Sequence, residues 1–341
     1  MIIAVDAMGG DFAPGEIVKG AAQGGRLHGV DVILVGDEIR IKRCLPPEFA
    51  RSNHVTIRHA ADTIEMDEHA SAIRTKKDAS VVVAASLVKD GRADAMVSVG
   101  NTAAAMAVAT LRLGRISGID RPAIATVMPS ASGATVLLDA GAVVDCSVAN
   151  LKQFAVMGSV YAENALGIAR PRVGLLSVGE ERSKGSDLIK AAHKELVAMP
   201  INFVGNVEGR DLFSGAADVI VADGFAGNVA LKTAEGLAEF LQNSFENEVH
   251  SHPLARIPLA MLLPFLARLR KKLDYSEYGG APLLGLNGVC IIGHGRSKAR
   301  AVANAVKAAK EAVGGGVIAA IQERVGQVAA ASGVKVCANK G

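Results

Sequence analysis

Residues 217–236, ADVIVADGFAGNVALKTAEG, decide the fold that the sequence predicts. The β-branched run Val219-Ile220-Val221 is typical of a buried strand, Asp223 marks a turn, and apolar residues recur at helical spacing after Asn228. In α/β sheets, ligands bind where a strand ends and a helix begins, because the first N–H groups of a helix lack partners and its dipole favours an anion. The stretch therefore predicts an α/β fold with a candidate anion site. Asp223 and Asn228 are also typical turn and N-cap residues, so a purely structural interpretation stays open.

The same succession of strand, polar turn and helix recurs along the chain. Repeated units of this kind are typical of a doubly wound, mostly parallel, Rossmann-like sheet with helices on both faces. The turn at residues 129–133 lies between two short apolar runs, which predicts a hairpin and therefore a local antiparallel element. The other polar turns lie at residues 6–11, 98–102, 178–186 and 293–298.

The composition supports buried strands in one large unit. Half of the 341 residues are hydrophobic, but only 4% are aromatic and Trp is absent, so Val, Ile, Leu and Ala must fill the interior. That composition favours parallel strands covered by helices. We expect residues 1–341 to form a single α/β catalytic domain, with residues 250–275 as a protruding amphipathic helical segment.

Several function classes find no support in the sequence. A net charge of +3, evenly spread, does not indicate a nucleic-acid partner. The four cysteines are isolated from one another and from histidine runs, which predicts reduced thiols and no metal site. The first ten residues lack the features of a secretion signal, and no apolar run approaches the roughly 20 residues of a membrane span. We therefore expect a soluble cytoplasmic protein, or one that lies on a membrane surface.

The motifs indicate neither a nucleotide cofactor nor a covalent nucleophile. Gly293 and Gly295 follow a strand, but Lys298 stands where a dinucleotide fold needs a third glycine, and the chain has no complete phosphate loop. No G-x-S-x-G elbow occurs, which argues against an acyl-serine hydrolase. Without cofactor, metal or nucleophile, direct attack of one bound substrate on another is the expected mechanism. Lys184 lies in a glycine-bearing turn and could bind an anion, while His294 is either a general base or a turn residue.

Five motifs resemble the bacterial acyl-ACP:phosphate acyltransferases, the PlsX family. The resemblance extends to about residue 325, and it departs from the family pattern at Val178, where Asn is expected, and at Ala103, where Gly is expected. It implies a phosphotransacetylase-like fold and transfer of a fatty acyl group from acyl carrier protein to inorganic phosphate. It also implies a homodimer at the inner face of the membrane, whose acyl phosphate supplies a downstream glycerol-3-phosphate acyltransferase in phospholipid synthesis. The motifs are DAMGGD at residues 6–11, SVGNT at 98–102, GRI at 114–116 with RP at 121–122, NVEGRD at 206–211 and DGFAGN at 223–228.

The expected chemistry assigns roles to the turn residues. A thioester needs hydrogen-bond donors for its developing oxyanion, and phosphate needs a cation that holds it near the carbonyl carbon. We therefore expect Lys184 to bind phosphate or the oxyanion, and Asn228 with nearby N–H groups to bind the carbonyl oxygen. Asp223 would orient Lys184 or accept a proton from phosphate. The remaining predicted substrate-binding residues are Asp6, Gly9, Gly10, Ser98, Asn101, Thr102, Gly179, Gly185, Gly227, His294 and Arg296.

Residues 253–273, PLARIPLAMLLPFLARLRKKL, predict an amphipathic segment. Three prolines forbid one continuous helix, so we expect two short helices or a kinked hairpin. The leucine face suits a core, a dimer interface or a membrane surface, and the resemblance favours the membrane. The basic residues suit either anionic phospholipid or the acidic acyl carrier protein. The predicted contact residues are Leu259, Leu262, Leu263, Leu266, Arg268, Lys271 and Lys272.

Two other function classes remain open at this stage. The first is a related enzyme, either a CoA-dependent phosphotransacetylase or a decarboxylating dehydrogenase. The second is a non-catalytic scaffold at the membrane surface, which would bind lipid without consuming a thioester. The thioester that is consumed in the presence of phosphate distinguishes these alternatives.

Overall fold

The computed structural model describes residues 1–50, 52–251, 265 and 280–331. Within these residues, eleven strands form one sheet in the order β3-β2-β1-β4-β11-β10-β5-β6-β9-β7-β8. The β-branched and aliphatic runs noted in the sequence form its central strands, which are buried on both sides. The strands are β1 Ile2–Asp6, β2 Asp31–Gly36, β3 Val55–His59, β4 Ala95–Ser98, β5 Ala123–Ser130, β6 Gly133–Leu138, β7 Val173–Leu176, β8 Phe203–Val207, β9 Val219–Val221, β10 Ala281–Leu284 and β11 Val289–Ile292.

Helices cover both faces of the sheet. Alternate residues of a strand point to opposite faces, so Ile3 and Val5 pack in one apolar core while Ala4 packs in another. A short 3-10 helix also lies at Ala70–Arg74. The helices are α1 Gly15–His28, α2 Glu38–Cys44, α3 Ser80–Lys89, α4 Thr102–Leu113, α5 Val148–Asn164, α6 Asp187–Val197, α7 Asp211–Ser214, α8 Gly224–Ser251, α9 Ala299–Gly314 and α10 Val317–Ala331.

Strand directions change in the middle of the sheet. β3, β2, β1, β4 and β11 run parallel to one another, as do β6, β9, β7 and β8. The pairs β11–β10, β10–β5 and β5–β6 are antiparallel. Three successive reversals leave β6, β9 and β7 antiparallel to β1, β4 and β11. The carboxyl ends of these two groups of strands therefore lie at opposite edges of the sheet.

The predicted mostly parallel α/β sheet is confirmed, and so is the hairpin, which pairs Val127 with Val136. The sequence analysis did not foresee β10 or the reversal that it helps to produce. β10 contains Pro282 and spans four residues, too few to show an alternating pattern. The predicted membrane and carrier-protein contacts Leu259, Leu262, Leu263, Leu266, Arg268, Lys271 and Lys272 lie outside the described residues.

Candidate active site

Asp139 follows β6 and organises the loop at this edge of the sheet. It is fully buried, and its carboxylate accepts N–H groups from Ile124 at 2.8 Å, Gly141 at 3.2 Å and Val143 at 2.7 Å. Burial raises the pKa of Asp139, and the backbone hydrogen bonds only partly offset this effect. The sequence analysis assigned no role to Asp139. The available signal was a carboxylate directly after a buried strand and two residues before a glycine, which resembles Asp6 at the end of β1 and three residues before Gly9.

The start of α8 packs on that loop. The Gly224 N–H donates to the Val143 carbonyl at 2.8 Å, and a β-carbon at Gly224 would lie 2.7 Å from an Asp139 carboxylate oxygen. Gly227 lies directly against the Asp139 carbonyl oxygen. Only glycine permits such close approach, so these two residues set how near the helix terminus comes to the buried carboxylate.

Asp223 and Asn228 flank the first turn of α8. Asp223 Oδ1 accepts the Ala226 N–H at 2.9 Å, which is an N-cap interaction. Asn228 donates from Nδ2 to the Ala140 carbonyl oxygen at 3.2 Å, and its residue is exposed. Asp223 Oδ2 has no hydrogen-bond partner in the described part of the chain. Both residues thus have structural partners and also retain free polar groups.

Lys184 lies at the same sheet edge, in the loop between β7 and α6. Its side chain is exposed, and it forms no ion pair within the described ranges. Gly179 packs beneath it, because a β-carbon there would lie 3.0 Å from Lys184 Cγ, and Gly185 adopts a φ of +93°. Ser186 then caps α6 by accepting the Ile189 N–H at 3.4 Å. An exposed lysine therefore lies two residues before the N-cap of α6, an arrangement suited to an anion.

Cys146 is the thiol nearest to this group of residues. Burial, together with the nearby charges of Asp139 and Asp223, raises its pKa to about 11. Its Sγ donates to the Val143 carbonyl at 3.2 Å. A thiol held in its protonated form is a poor nucleophile, so the geometry offers no covalent cysteine chemistry here.

A second group of predicted residues gathers around β1. Asp6 is buried and accepts the Ser98 hydroxyl at 2.7 Å, which joins the ends of β1 and β4. Burial raises the pKa of Asp6 despite this bond and those from neighbouring groups. Gly9 and Gly100 cross closely, since a β-carbon on Gly9 would lie 2.8 Å from Gly100 Cα. Asp6 thus stabilises the contact between the turn after β1 and the turn after β4.

Asn101 connects those turns to residues 65–68. Its Oδ1 caps α4 by accepting the Ala104 N–H at 3.0 Å, while Nδ2 donates to the Met66 and Glu68 carbonyls at 3.1 and 2.8 Å. Thr102 is exposed as the first residue of α4. A cavity of about 390 Å³ opens beside these residues, lined by Met8, Gly10, Asp11, Ala13, Arg40, Thr63, Glu65, Met66 and Asp67.

His294 and Arg296 follow β11 at the same edge. His294 Nδ1 accepts the Arg296 N–H at 3.2 Å, so this ring nitrogen takes part in the turn that its glycine neighbours predicted. Gly10 approaches this turn closely, because its β-carbon would lie 3.2 Å from the Gly295 carbonyl oxygen. Arg296 lies 4.0 Å from Glu239 of α8, with both side chains largely exposed.

The structure thus places the predicted site residues in two clusters. Sixteen residues of chain separate Asp223 from Glu239, which at about 1.5 Å of helix rise per residue is a distance of about 24 Å. A single small anion can therefore contact only one cluster of the same chain. The β9 cluster contains Asp139, Gly179, Lys184, Gly185, Asp223, Gly227 and Asn228. The β1 cluster contains Asp6, Gly9, Gly10, Ser98, Asn101, Thr102, His294 and Arg296.

Two further observations concern the described residues alone. They contain no group of three or more His, Cys, Asp or Glu residues placed to hold a metal ion. Among them, no helix combines the length and apolar character that crossing a bilayer requires. Most of residues 250–275, where the surface segment was predicted, lies outside the described residues.

Comparisons with known proteins address the identity of the chain. A family model described as fatty acid synthesis protein matches residues 1–320. The phosphate acyltransferase of Heliobacterium modesticaldum is 52% identical over 327 residues, covering 95% of this chain and 98% of that protein. The chain belongs to the phosphate acyltransferase family. The phosphate acyltransferase of Pelotomaculum thermopropionicum is 55% identical over 317 residues and covers 92% of each chain. The predicted acyltransferase class is confirmed at this level.

Solved structures agree with the fold of a phosphate acyltransferase. A phosphotransacetylase from Streptococcus pyogenes superposes with a TM-score of 0.63 at 18% identity, covering 91% of this chain and 94% of that one. A branched-chain phosphotransacylase from Enterococcus faecalis gives 0.57 at 15% identity, covering 92% and 99%. These likenesses confirm the predicted phosphotransacetylase-like fold.

Proposed function

We propose that this phosphate acyltransferase transfers a fatty acyl group from acyl carrier protein to inorganic phosphate. The proposal rests on one arrangement at the β9 cluster, where the loop that carries Lys184 and the start of α8 follow the adjacent parallel strands β7 and β9. Two helix N-termini and a free cation at one sheet edge favour a phosphate anion. The relatives named phosphate acyltransferase, whose similarity covers more than nine-tenths of this chain, support the same reaction class.

The reaction proceeds by direct attack, with no covalent enzyme intermediate. An oxygen of hydrogen phosphate attacks the thioester carbonyl carbon, the new C–O bond forms, and the C–S bond breaks. The proton of the phosphate goes to the leaving sulfur, which gives acyl phosphate and the carrier thiol. Lys184 holds the phosphate, and Asn228 with the α8 N–H groups stabilises the oxyanion. Asp223 Oδ2, which is free of partners in the described residues, relays the proton.

The β1 cluster takes part in binding the donor under this proposal. A fatty acyl chain on its carrier arm is an extended ligand. A site formed by two separate clusters therefore fits such a donor better than it fits a small thioester. The cavity beside Gly10 and Met66 offers room at this second position. Neither metal nor nucleotide enters the mechanism.

A homodimer is the second part of the proposal, and an apolar face of α8 supports it. Five large apolar side chains along this helix are half to two-thirds exposed. Exposed apolar surface of this extent is typical of an interface. The residues are Phe225, Val229, Leu237, Phe240 and Leu241. Phe240→Glu should yield monomers in sedimentation, whereas Leu111→Glu on α4, which also replaces an exposed leucine, should not.

The remaining parts concern location. We infer a cytoplasmic enzyme that binds anionic phospholipid at the inner face of the membrane through residues 250–275 and supplies a downstream glycerol-3-phosphate acyltransferase. The basic residues of that segment suit anionic lipid and also the acidic carrier protein.

A product assay tests the reaction. Purified protein, long-chain acyl carrier protein and inorganic phosphate should give a hydroxylamine-sensitive acyl phosphate in the presence of a chelator. Acetyl-CoA in place of the acyl carrier protein should be consumed far more slowly. Preferential use of acetyl-CoA would instead favour a CoA-dependent phosphotransacetylase, and vesicle binding without loss of any thioester would favour a scaffold.

A further inference from the structure

The buried side chain of Asn206 fixes the loop that carries Lys184. Asn206 of β8 donates from Nδ2 to the Glu181 carbonyl oxygen at 2.9 Å. The same carbonyl oxygen accepts the Lys184 N–H at 3.0 Å. The backbone N–H of Lys184 therefore bonds to the same carbonyl oxygen that Asn206 fixes. Asn206 itself lies on β8, outside the loop, and makes no hydrogen bond to the lysine side chain among the described contacts.

His193 of α6 fixes Asn206 in turn. Its Nδ1 lies 2.9 Å from Asn206 Oδ1. A carbonyl oxygen only accepts hydrogen bonds, so the Asn206 amide group must face Glu181 and its Oδ1 must face the ring. Nδ1 is then the donor and carries the proton. Strand β8, helix α6 and the loop between β7 and α6 are thus joined in one chain of hydrogen bonds.

These hydrogen bonds are buried. An apolar side chain would pack at the same positions with a lower free-energy cost. Asn206 and His193 are each only 6% exposed, and His193 shares the buried face of α6 with Ile189, Ala192 and Leu196. His193 Nε2 has no hydrogen-bond partner in the described chain, and the ring meets Phe203 edge-on at 5.3 Å. An unpartnered buried nitrogen is a cost, which a leucine at this position would avoid. The hydrogen bonds by which Asn206 and His193 hold the loop explain why polar residues occupy these buried positions.

We infer that Asn206 and His193 are positioning residues for Lys184. The inference rests on the proposed function, because it requires Lys184 to contact phosphate or the oxyanion. A lysine on a long side chain is useful for catalysis only where its backbone is fixed, since displacement by about 1 Å can lower a rate about a hundredfold. Asn206 and His193 affect the rate only by preventing this displacement of Lys184.

A double-mutant cycle tests the inference. Asn206→Ala should lower kcat about ten- to a hundredfold while the KM for the acyl donor stays unchanged. In the Lys184→Ala background, the same substitution should lower kcat less than about twofold, because the group being positioned is already absent. Asn202→Ala is the matched control, since Asn202 also donates to a backbone carbonyl, that of Arg170 at 3.0 Å, but next to the opposite end of β8. It should keep full activity.

Variants of His193 give a second, independent measurement. His193→Gln retains an amide donor for Asn206 Oδ1 and should keep most of the activity. His193→Leu removes the donor at similar volume and should resemble Asn206→Ala. If Asn206→Ala does not fold, Asn206→Leu replaces it in the cycle, since leucine has a similarly branched side chain and lacks the donor to Glu181.

The outcomes separate the two levels of argument. Equal losses from Asn206→Ala in the wild-type and Lys184→Ala backgrounds, or a fully active His193→Leu, would overturn the positioning roles and leave the proposed function intact. A fully active Lys184→Ala would also overturn the positioning roles, because no catalytic lysine would then need to be positioned. Failure of the wild type to form acyl phosphate is the separate result that would overturn the proposed function.

Discussion

Gly227 lies directly against the backbone carbonyl oxygen of Asp139, with no room for a β-carbon between them. The contact joins the first turn of α8 to the loop after β6. It fixes the position of the unsatisfied N–H groups at the helix start, which the proposed mechanism uses as hydrogen-bond donors to the oxyanion. The glycine is therefore required by distance, not by backbone conformation.

Gly227→Ala should disrupt this contact. Overpacking of a buried position typically costs about 1–3 kcal/mol, so we expect a lower free energy of unfolding in urea and a loss of turnover as α8 moves away. Gly236→Ala is the matched control on the same helix, because nothing lies within 4 Å of a β-carbon there. It should stabilise the protein by about 0.5–1 kcal/mol. Equal behaviour of the two variants would contradict the close contact.

Lys184→Ala should lower turnover at least about a hundredfold, the usual effect of losing a preorganised donor to developing charge. The fold should stay intact, because the side chain is exposed. Lys190→Ala on the neighbouring helix removes an equally exposed lysine, 3.7 Å from Asp187, and should leave turnover unchanged.

Asn228→Ala should act in the same direction as Lys184→Ala, but more mildly, because backbone N–H groups remain to bind the oxyanion. Circular dichroism would establish that the helix is retained, and steady-state kinetics would measure the loss. Full turnover in both the Lys184 and Asn228 variants would move the active site away from the β9 cluster.

Asp6→Asn tests the buried carboxyl of the β1 cluster. Burial raises its pKa above the ordinary 3.8, so just above pH 3.8 the folded protein keeps a proton that the unfolded chain releases. The wild type should therefore lose stability relative to Asp6→Asn as the pH rises from about 3.8, until the folded-state pKa is passed. Urea unfolding of both proteins across this range measures the difference. A difference that does not vary with pH would contradict the raised pKa.

Leu262→Glu combined with Leu266→Glu should abolish binding to anionic vesicles in a flotation assay. The enzyme should remain soluble, dimeric and active, because a charged residue opposes insertion into lipid but not folding of the α/β sheet. Leu111→Glu, an exposed leucine of α4, should leave vesicle binding unchanged. Aggregation or dissociation of the double variant would show that these leucines belong to a core or interface.

Local sequence patterns sufficed for most of the fold. The repeated strand–turn–helix units are present, and the helices Ser80–Lys89, Ala299–Gly314 and Val317–Ala331 show why. These segments have strong periodicity and glycine punctuation, which depend only on neighbouring residues. β10 escaped because four residues that include a proline carry little local signal.

The arrangement of the site was harder to predict, because strand direction is a property of the whole sheet. The turns that carry Asp6 and Asp223 look alike in sequence, yet they lie at opposite edges. Asn206 shows the same limit, since its value depends on a carbonyl 25 residues away. The role of Asp139 was within reach of the pattern already used for Asp223 and was missed.

The reversal of strand direction at β10 also matters for inhibitor design. Compounds that fill the cavity beside Gly10 and compounds that bind near Lys184 do not compete for space, since the two positions lie at opposite edges of the sheet. Asp223 in one cluster and Glu239 beside the other are about 24 Å apart along α8. Each should be found by separate screening, and their binding free energies should add. A bivalent compound gains from both only if its linker spans that length, which a short flexible tether cannot do.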